Sequence, residues 1–295
     1  MKQLLKIKDL SKKEIQEILN LADQLKYEKK NGIEHPLLKS KSTGLLFAEP
    51  SSHCLLSFAT AIGDLGGSLV QLNAEDMKLC NGPLEDTARF LCRYLDCLVL
   101  RDFTQQDEEA IASLSTIPVI NALSQSCHPL QTLAALMTIR EKKGVFQGRK
   151  LTIIGGAGPA ASSLIWGGLK MGMEVCLCCP ETLKPDEESI IQKENGRSYA
   201  YSSNPKEAVK AADVMYVCPY TDDSTYSEEF ESYQINKELI SLAKEDVLIM
   251  HPLPAHRGWE IESETFDSYA DEIFDEAENR LHVQKSVLVL CMKGN

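Results

Sequence analysis

Short apolar runs alternate with segments of helical period along this chain, and the alternation is played through twice. Strands separated by helices lie parallel, because only a crossover long enough to hold a helix returns the chain to the same end of a sheet. In the first half the strand runs are STGLLFAEP, SLVQL, CLVLRD and IPVINAL. The helical runs between and after them are LLSFATAIGDLGG, PLEDTARFLCRYL and HPLQTLAALMTIREKKG. Ser11-Lys-Lys-Glu14 is a capping box for an earlier helix, which Ile15, Ile18, Leu19, Leu21 and Ala22 continue at helical spacing. Ser51 and Ser52 can cap the helix that Gly66-Gly67 stops, and Gly144 closes another.

The pattern restarts at RKLTIIGGAG. The helix PAASSLIWGGLKMG, the strand EVCLCCP, a charged helical stretch, NPKEAVKAAD, the strand VMYVCPY, a helix near 235–244 and the strand DVLIMHPLP make a second unit. Beyond it, DEAENRLHVQKSVLVLCMKGN has the period of an amphipathic helix and is expected to pack back on the first domain. The prediction is an α/β protein of two domains, each a mainly parallel sheet covered by helices. Their spans are 1–145 and 146–276, with the returning helix over 277–295.

Composition narrows the function classes. A chain of 295 residues, 43% hydrophobic and 25% charged, can bury a full core without staples. Its 31 basic and 43 acidic residues give a net charge of −12, which argues against non-specific nucleic-acid or anionic-membrane binding. The opening MKQLLKIKDLSKKEIQEIL has no uninterrupted apolar core, so it reads as neither signal nor transit peptide. Nothing reaches the ~18 apolar residues of a membrane span. Of ten cysteines, Cys92, Cys97, Cys176, Cys178, Cys179, Cys218 and Cys291 lie within or beside apolar runs, where a thiol packs as a small hydrophobe. No paired CxxC spacing suggests zinc. A cytoplasmic protein with reduced thiols, no metal and no cofactor is expected.

Ligands of open α/β sheets collect at the carboxyl ends of the strands, and here those ends are polar. The first delivers Glu49-Pro-Ser51-Ser52-His53 into a helix N-terminus, where free N–H groups and the dipole favour an anion. The third delivers Arg101, and the fourth leads to His128-Pro-Leu-Gln131. The last strand of the second unit delivers His251-Pro-Leu-Pro254-Ala-His256-Arg257. Each cluster alone has an ordinary explanation: a surface ion pair for Arg101, helix caps for Ser51, Ser52, His128 and Gln131, a stiffened loop for Pro252 and Pro254. Together they point to a binding site. A further motif, Gly156-Ala-Gly158-Pro-Ala-Ala161, matches the G-x-G-x-x-G/A dinucleotide turn, and Glu181 ends the next strand where a ribose hydroxyl would lie. It opens the second half of the chain rather than the first strand of a nucleotide domain, so tight helix–strand packing competes with NAD binding as its purpose.

FAEPSSHCLLSFATAIGDLGG, DTARFLCRYLDCLVLR, IPVINALSQSCHPLQTLAALMTIREKKG and MHPLPAHRGWEI, in this order, resemble the aspartate/ornithine carbamoyltransferase family, nearest its ornithine branch. The resemblance runs from about Leu4 to the last helix. It implies a carbamoyl-phosphate domain, an amino-acid domain and a homotrimer, with carbamoyl phosphate and a small amine or amino acid as substrates. By the same resemblance Arg101, His128 and Gln131 hold the carbamoyl group, Ser51, Ser52, His53 and Cys54 form the phosphate loop, and Arg257 reaches carbamoyl phosphate. Cys218, Asp222, Asp223, His251, Pro252 and Leu253 fall at acceptor positions.

The sequence also departs from the family. Where the phosphate loop reads Ser-Thr-Arg-Thr-Arg, this chain has Ser51-Ser52-His53-Cys54-Leu55. His53 returns charge only when protonated, and Leu55 returns none. The ornithine turn Asp-Gly-x-Asn-Asn is replaced by Gly155-Gly156-Ala157-Gly158-Pro159, Asp-x-Trp-x-Ser-Met-Gly aligns with the segment from Cys218 to Ser224, and Pro252 stands for the cysteine of His-Cys-Leu-Pro. These departures predict a carbamoyltransferase whose acceptor is not ornithine. A non-catalytic or regulatory paralogue, and an NAD-binding protein using Gly156–Ala161, are the alternatives.

Overall fold

A computed structural model of the chain describes residues 1–73, 84–185, 199–219 and 228–293. Two compact units emerge, Met1–Leu133 with Asn279–Asn295, and Ala134–Glu278.

The first unit holds the helices α1 (Lys12–Lys30), α2 (Ser52–Asp64), α3 (Leu84–Leu91) and α4 (Gln105–Leu114), and the start of α5 (Pro129–Lys143). Its strands β1 (Ser42–Phe47), β2 (Ser68–Asn73), β3 (Cys97–Phe103) and β4 (Val119–Ser124) form one parallel sheet in the order β2-β1-β3-β4. The capping box forms as expected: Glu14 N–H donates to Ser11 Oγ at 3.2 Å, and Ser11 N–H to the Glu14 carboxylate at 2.8 Å. Gly66, at φ 72°, takes the left-handed conformation that ends α2. Helix α4 is absent from the sequence reading. Thr104 caps it, accepting from Asp107 N–H at 3.1 Å, but QQDEEAIASL buries only Glu108, Ile111 and Ala112, too few apolar residues to show a period.

The second unit carries β5 (Lys150–Gly155), β6 (Glu174–Cys178), β7 (Tyr199–Ser202), β8 (Val214–Cys218) and β9 (Leu248–Met250), parallel in the order β7-β6-β5-β8-β9. With them come α6 (Pro159–Met171), the short helices α7 (Pro205–Ala208), α8 (Glu228–Glu231), α9 (Lys237–Ser241) and α10 (Ser263–Ser268), and the start of α11 (Ala270–Met292). Strand β7 is a second element the sequence hid, because YAYS is a short, half-exposed edge with no apolar run. The fold is therefore two parallel sheets covered by helices. The division falls within α5, after Leu133, and within α11, after Glu278.

The C-terminal part of α11 belongs to the first unit. Val283, Val287, Leu288 and Val289 are fully buried there. Gln284 donates to Ser57 Oγ at 3.0 Å, Ser286 to the Ile18 carbonyl at 2.7 Å, and Lys26 to Asn279 Oδ1 at 2.7 Å. No helix among the described residues is long and apolar enough to cross a membrane.

Candidate active site

The strand order of the first unit reverses between β1 and β3, the point at which such sheets open for ligands. The two strand ends are in register: Phe47 pairs with Arg101, and Ala48 N–H donates to the Arg101 carbonyl at 2.9 Å. From β1 the chain turns into α2 with Ser51 as N-cap, its Oγ accepting from Cys54 N–H at 3.4 Å. The first turn of α2 thus presents backbone N–H groups where an anion is favoured. Ser52 and His53 are exposed in this turn, and Cys54 is buried.

Arg101 leaves β3 with its side chain only 16% exposed and its Nε 3.0 Å from the Asp102 carboxylate. His128 heads α5, its carbonyl accepting from Thr132 N–H at 3.2 Å, after a turn in which Ser124 Oγ accepts from Cys127 N–H at 3.0 Å. Gln131, in the first turn of α5, is buried as well. Arg280 of α11 joins them. Its Nε and Nη2 are buried and have no hydrogen-bond partner. Burial, then the charges of Arg280 and Arg101, hold the His128 imidazole well below its ordinary range, so it is neutral at pH 7. Burial likewise pushes the Cys54 thiol up, against the pull of the same two arginines, so it stays protonated. Two guanidinium groups thus converge on a neutral imidazole, a thiol and a helix N-terminus. Chemically, such a group of donors can hold an anion.

In the second unit the order reverses between β5 and β8, where Gly155 pairs with Cys218. A Cβ on Gly156 would meet the Pro219 carbonyl oxygen at 2.6 Å, so this glycine admits the chain's own backbone. Close packing accounts for that part of the dinucleotide-like turn. Cys218 is buried, and burial raises its thiol pKa. His251 Nδ1 accepts from Leu253 N–H at 2.9 Å, which leaves the proton on Nε2, 3.0 Å from Glu260 Oε1. Glu260 also accepts from His256 N–H at 2.7 Å, so one buried carboxylate clamps both ends of the loop that carries the half-buried Pro252 and Leu253.

Two domain models of one family match the chain in succession. Residues 2–141 fit the aspartate/ornithine carbamoyltransferase carbamoyl-phosphate-binding domain, and residues 147–291 fit its aspartate/ornithine-binding domain. The chain belongs to the aspartate/ornithine carbamoyltransferase family. The ornithine carbamoyltransferase of Caldicellulosiruptor saccharolyticus is 38% identical, over 100% of this chain and 99% of that protein. The anabolic ornithine carbamoyltransferase of Pyrococcus furiosus is 40% identical over 99% and 97%. The solved ornithine carbamoyltransferase of Pyrococcus furiosus superposes with a TM-score of 0.93, covering 100% of this chain and 98% of that one. That of Campylobacter jejuni, 31% identical, covers 100% of both chains with a TM-score of 0.91.

As a carbamoyltransferase of the ornithine branch, the chain assembles part of the expected site and alters part of it. Cys54, Arg101 and His128 meet around shared charges, and Gln131 shares a helix turn with His128. Arg257, expected at carbamoyl phosphate, already has an anion: it lies 2.6 Å from Asp267, with its guanidinium 4.1 Å over the Phe266 ring. Asp222 and Asp223 lie outside the described residues. Arg280 was missed because AENR sits in a charged run that reads as the solvent face of α11. The available signal was density: Asn279, His282, Gln284, Lys285 and Ser286 are all buried polar residues, more than an ordinary apolar stripe admits.

Proposed function

We propose that the protein transfers the carbamoyl group of carbamoyl phosphate to ornithine. The observation that carries the donor half is Arg280, whose buried and unpartnered N–H groups lie with Arg101 beside His128 and Cys54. The acceptor half draws on relatives named for ornithine that align with the whole chain. They outweigh the acceptor substitutions from which a different amine was expected. Family membership likewise supports a homotrimer.

In this reading the amine nitrogen attacks the carbamoyl carbon, and negative charge gathers on the carbonyl oxygen. Arg101 and the N–H of neutral His128 stabilise that charge without any prior change of protonation. The bond from carbon to the bridging oxygen then breaks, its electron pair leaves with phosphate, and the amine proton passes to a phosphate oxygen. Arg280 and the N–H groups at the start of α2 hold the departing anion. Catalysis is positioning and charge stabilisation.

A binding or regulatory protein on the same scaffold is the competing reading. It is favoured by Leu55 and the exposed, solvated His53 in the phosphate turn. Calorimetry with carbamoyl phosphate, followed by a ureido-product assay with ornithine, lysine, putrescine and aspartate, separates the two. Saturable binding and citrulline formation are expected. Binding without product would favour the regulatory reading, and product from another amine alone would remove ornithine.

A further inference from the structure

Neighbouring residues of a strand point to opposite faces of the sheet, yet Arg101 and Asp102 meet side chain to side chain. The cause lies at the end of β3. The register against β4 slips between Leu100 and Arg101 and again between Arg101 and Phe103, and Asp102 adopts φ 63°. A bulge with a left-handed residue re-aims side chains, and a non-glycine residue held there is strained. Here the bulge brings a carboxylate to 3.0 Å from Arg101 Nε, an ion pair that makes no hydrogen bond, with the two side chains only 16% and 26% exposed.

Two more carboxyl groups are coupled to Asp102 through their charge. Glu49 comes from the turn after β1, and Glu108 comes from α4. Glu108 is fully buried and neither of its oxygens has a hydrogen-bond partner. Burial, with Asp102 and Glu109 nearby, pushes its carboxyl up to about 9, so it is neutral at pH 7. Burial and Glu49 raise Asp102, while Arg101 pulls it down. Among the described residues Asp102 thus has one cation to lean on, and that cation belongs to the anion site.

We propose that Asp102 is a positioning residue, an internal counter-ion to Arg101 that weakens the hold of the first unit on phosphate-bearing ligands, donor and product phosphate alike. The inference rests on the reading of this unit as a carbamoyl-phosphate site. Its consequence is a loosely held donor and a readily released product, bought with backbone strain at one position.

The test is calorimetry on the full chain with carbamoyl phosphate and, separately, inorganic phosphate. The proteins compared are wild type, Asp102→Asn, Asp102→Gly and Arg101→Gln. Asn and Gly both tolerate a positive φ, so the bulge survives, and the second variant serves if the first fails to fold. Either Asp102 variant is expected to bind both anions about tenfold tighter, which is about 1.4 kcal/mol. In turnover it should lower KM for carbamoyl phosphate and strengthen inhibition by phosphate, while kcat stays level or falls. A merely structural role would not tighten binding. Equal or weaker binding by folded Asp102 variants, with wild type binding and Arg101→Gln not, overturns the proposal and leaves the site intact. If no protein binds either anion at 10 mM (an upper limit of about 3 kcal/mol in affinity), the anion site itself is wrong and the proposal falls with it.

Discussion

Arg280 keeps two buried nitrogens without partners in a region that also holds Arg101. Leaving charged donors unpaired away from water costs more than an ordinary hydrogen bond returns, which is tolerable where an anion completes the set. Replacing Arg280 by Gln should therefore weaken carbamoyl phosphate by on the order of 10- to 100-fold, from ~1.5–3 kcal/mol per charged hydrogen bond. Thermal stability should hold or rise, because an uncompensated charge has left. Calorimetry and a melting curve check both, and an unchanged dissociation constant would place the phosphate elsewhere. The strand-end position of Arg101 and the helix-start positions of His128 and Gln131 were legible in the sequence. Arg280 and Asp102 were not. One hides in a charged helical run, and the other gains its place only through a register slip that no local pattern announces.

Helix α4 shows why an element can escape a reading of periodicity. Its buried face contains a carboxyl group, Glu108, where an apolar residue would have signalled a helix. The same residue makes α4 a source of pH dependence. With a folded-state pKa of about 9 against an ordinary 4.5, Glu108 binds its proton more tightly in the folded protein. Its contribution is fully present below pH 4.5 and is lost as pH rises toward 9, at up to ~1.4 kcal/mol per pH unit. Glu108→Leu should remove that slope, so its stability advantage over wild type should grow by up to ~4 kcal/mol between pH 5 and pH 8. Urea unfolding of both proteins at pH 5 and pH 8 tests this. The difference between them should grow with pH, and a difference that stays flat from pH 5 to pH 8 would show that Glu108 is ionised in the fold. The elements β1, β3, β4, β5 and β8 were legible because their buried apolar runs have no polar face to interrupt them.

At the scale of the whole chain, the segment that completes the first unit is also the one that brings Arg280 beside His128 and Cys54. Arg280 stands at the beginning of Asn279–Asn295, and the same segment buries Val283, Val287, Leu288 and Val289 in the first unit. An anion bound through Arg280 interacts with the docked helix and not with the undocked one. Binding and docking are therefore linked, and a ligand at 100 times its dissociation constant adds ~2.7 kcal/mol to the docked state. Carbamoyl phosphate should raise the urea midpoint of the wild-type protein and slow amide hydrogen exchange across residues 279–292. Arg280→Gln keeps the apolar packing of α11 but should lose both responses at the same ligand concentration. The contrast separates linkage from simple occupancy. Protection that appears around the start of α2 but not in 279–292 would mean that the anion is held by the loop alone, with the returning helix serving only to close the core.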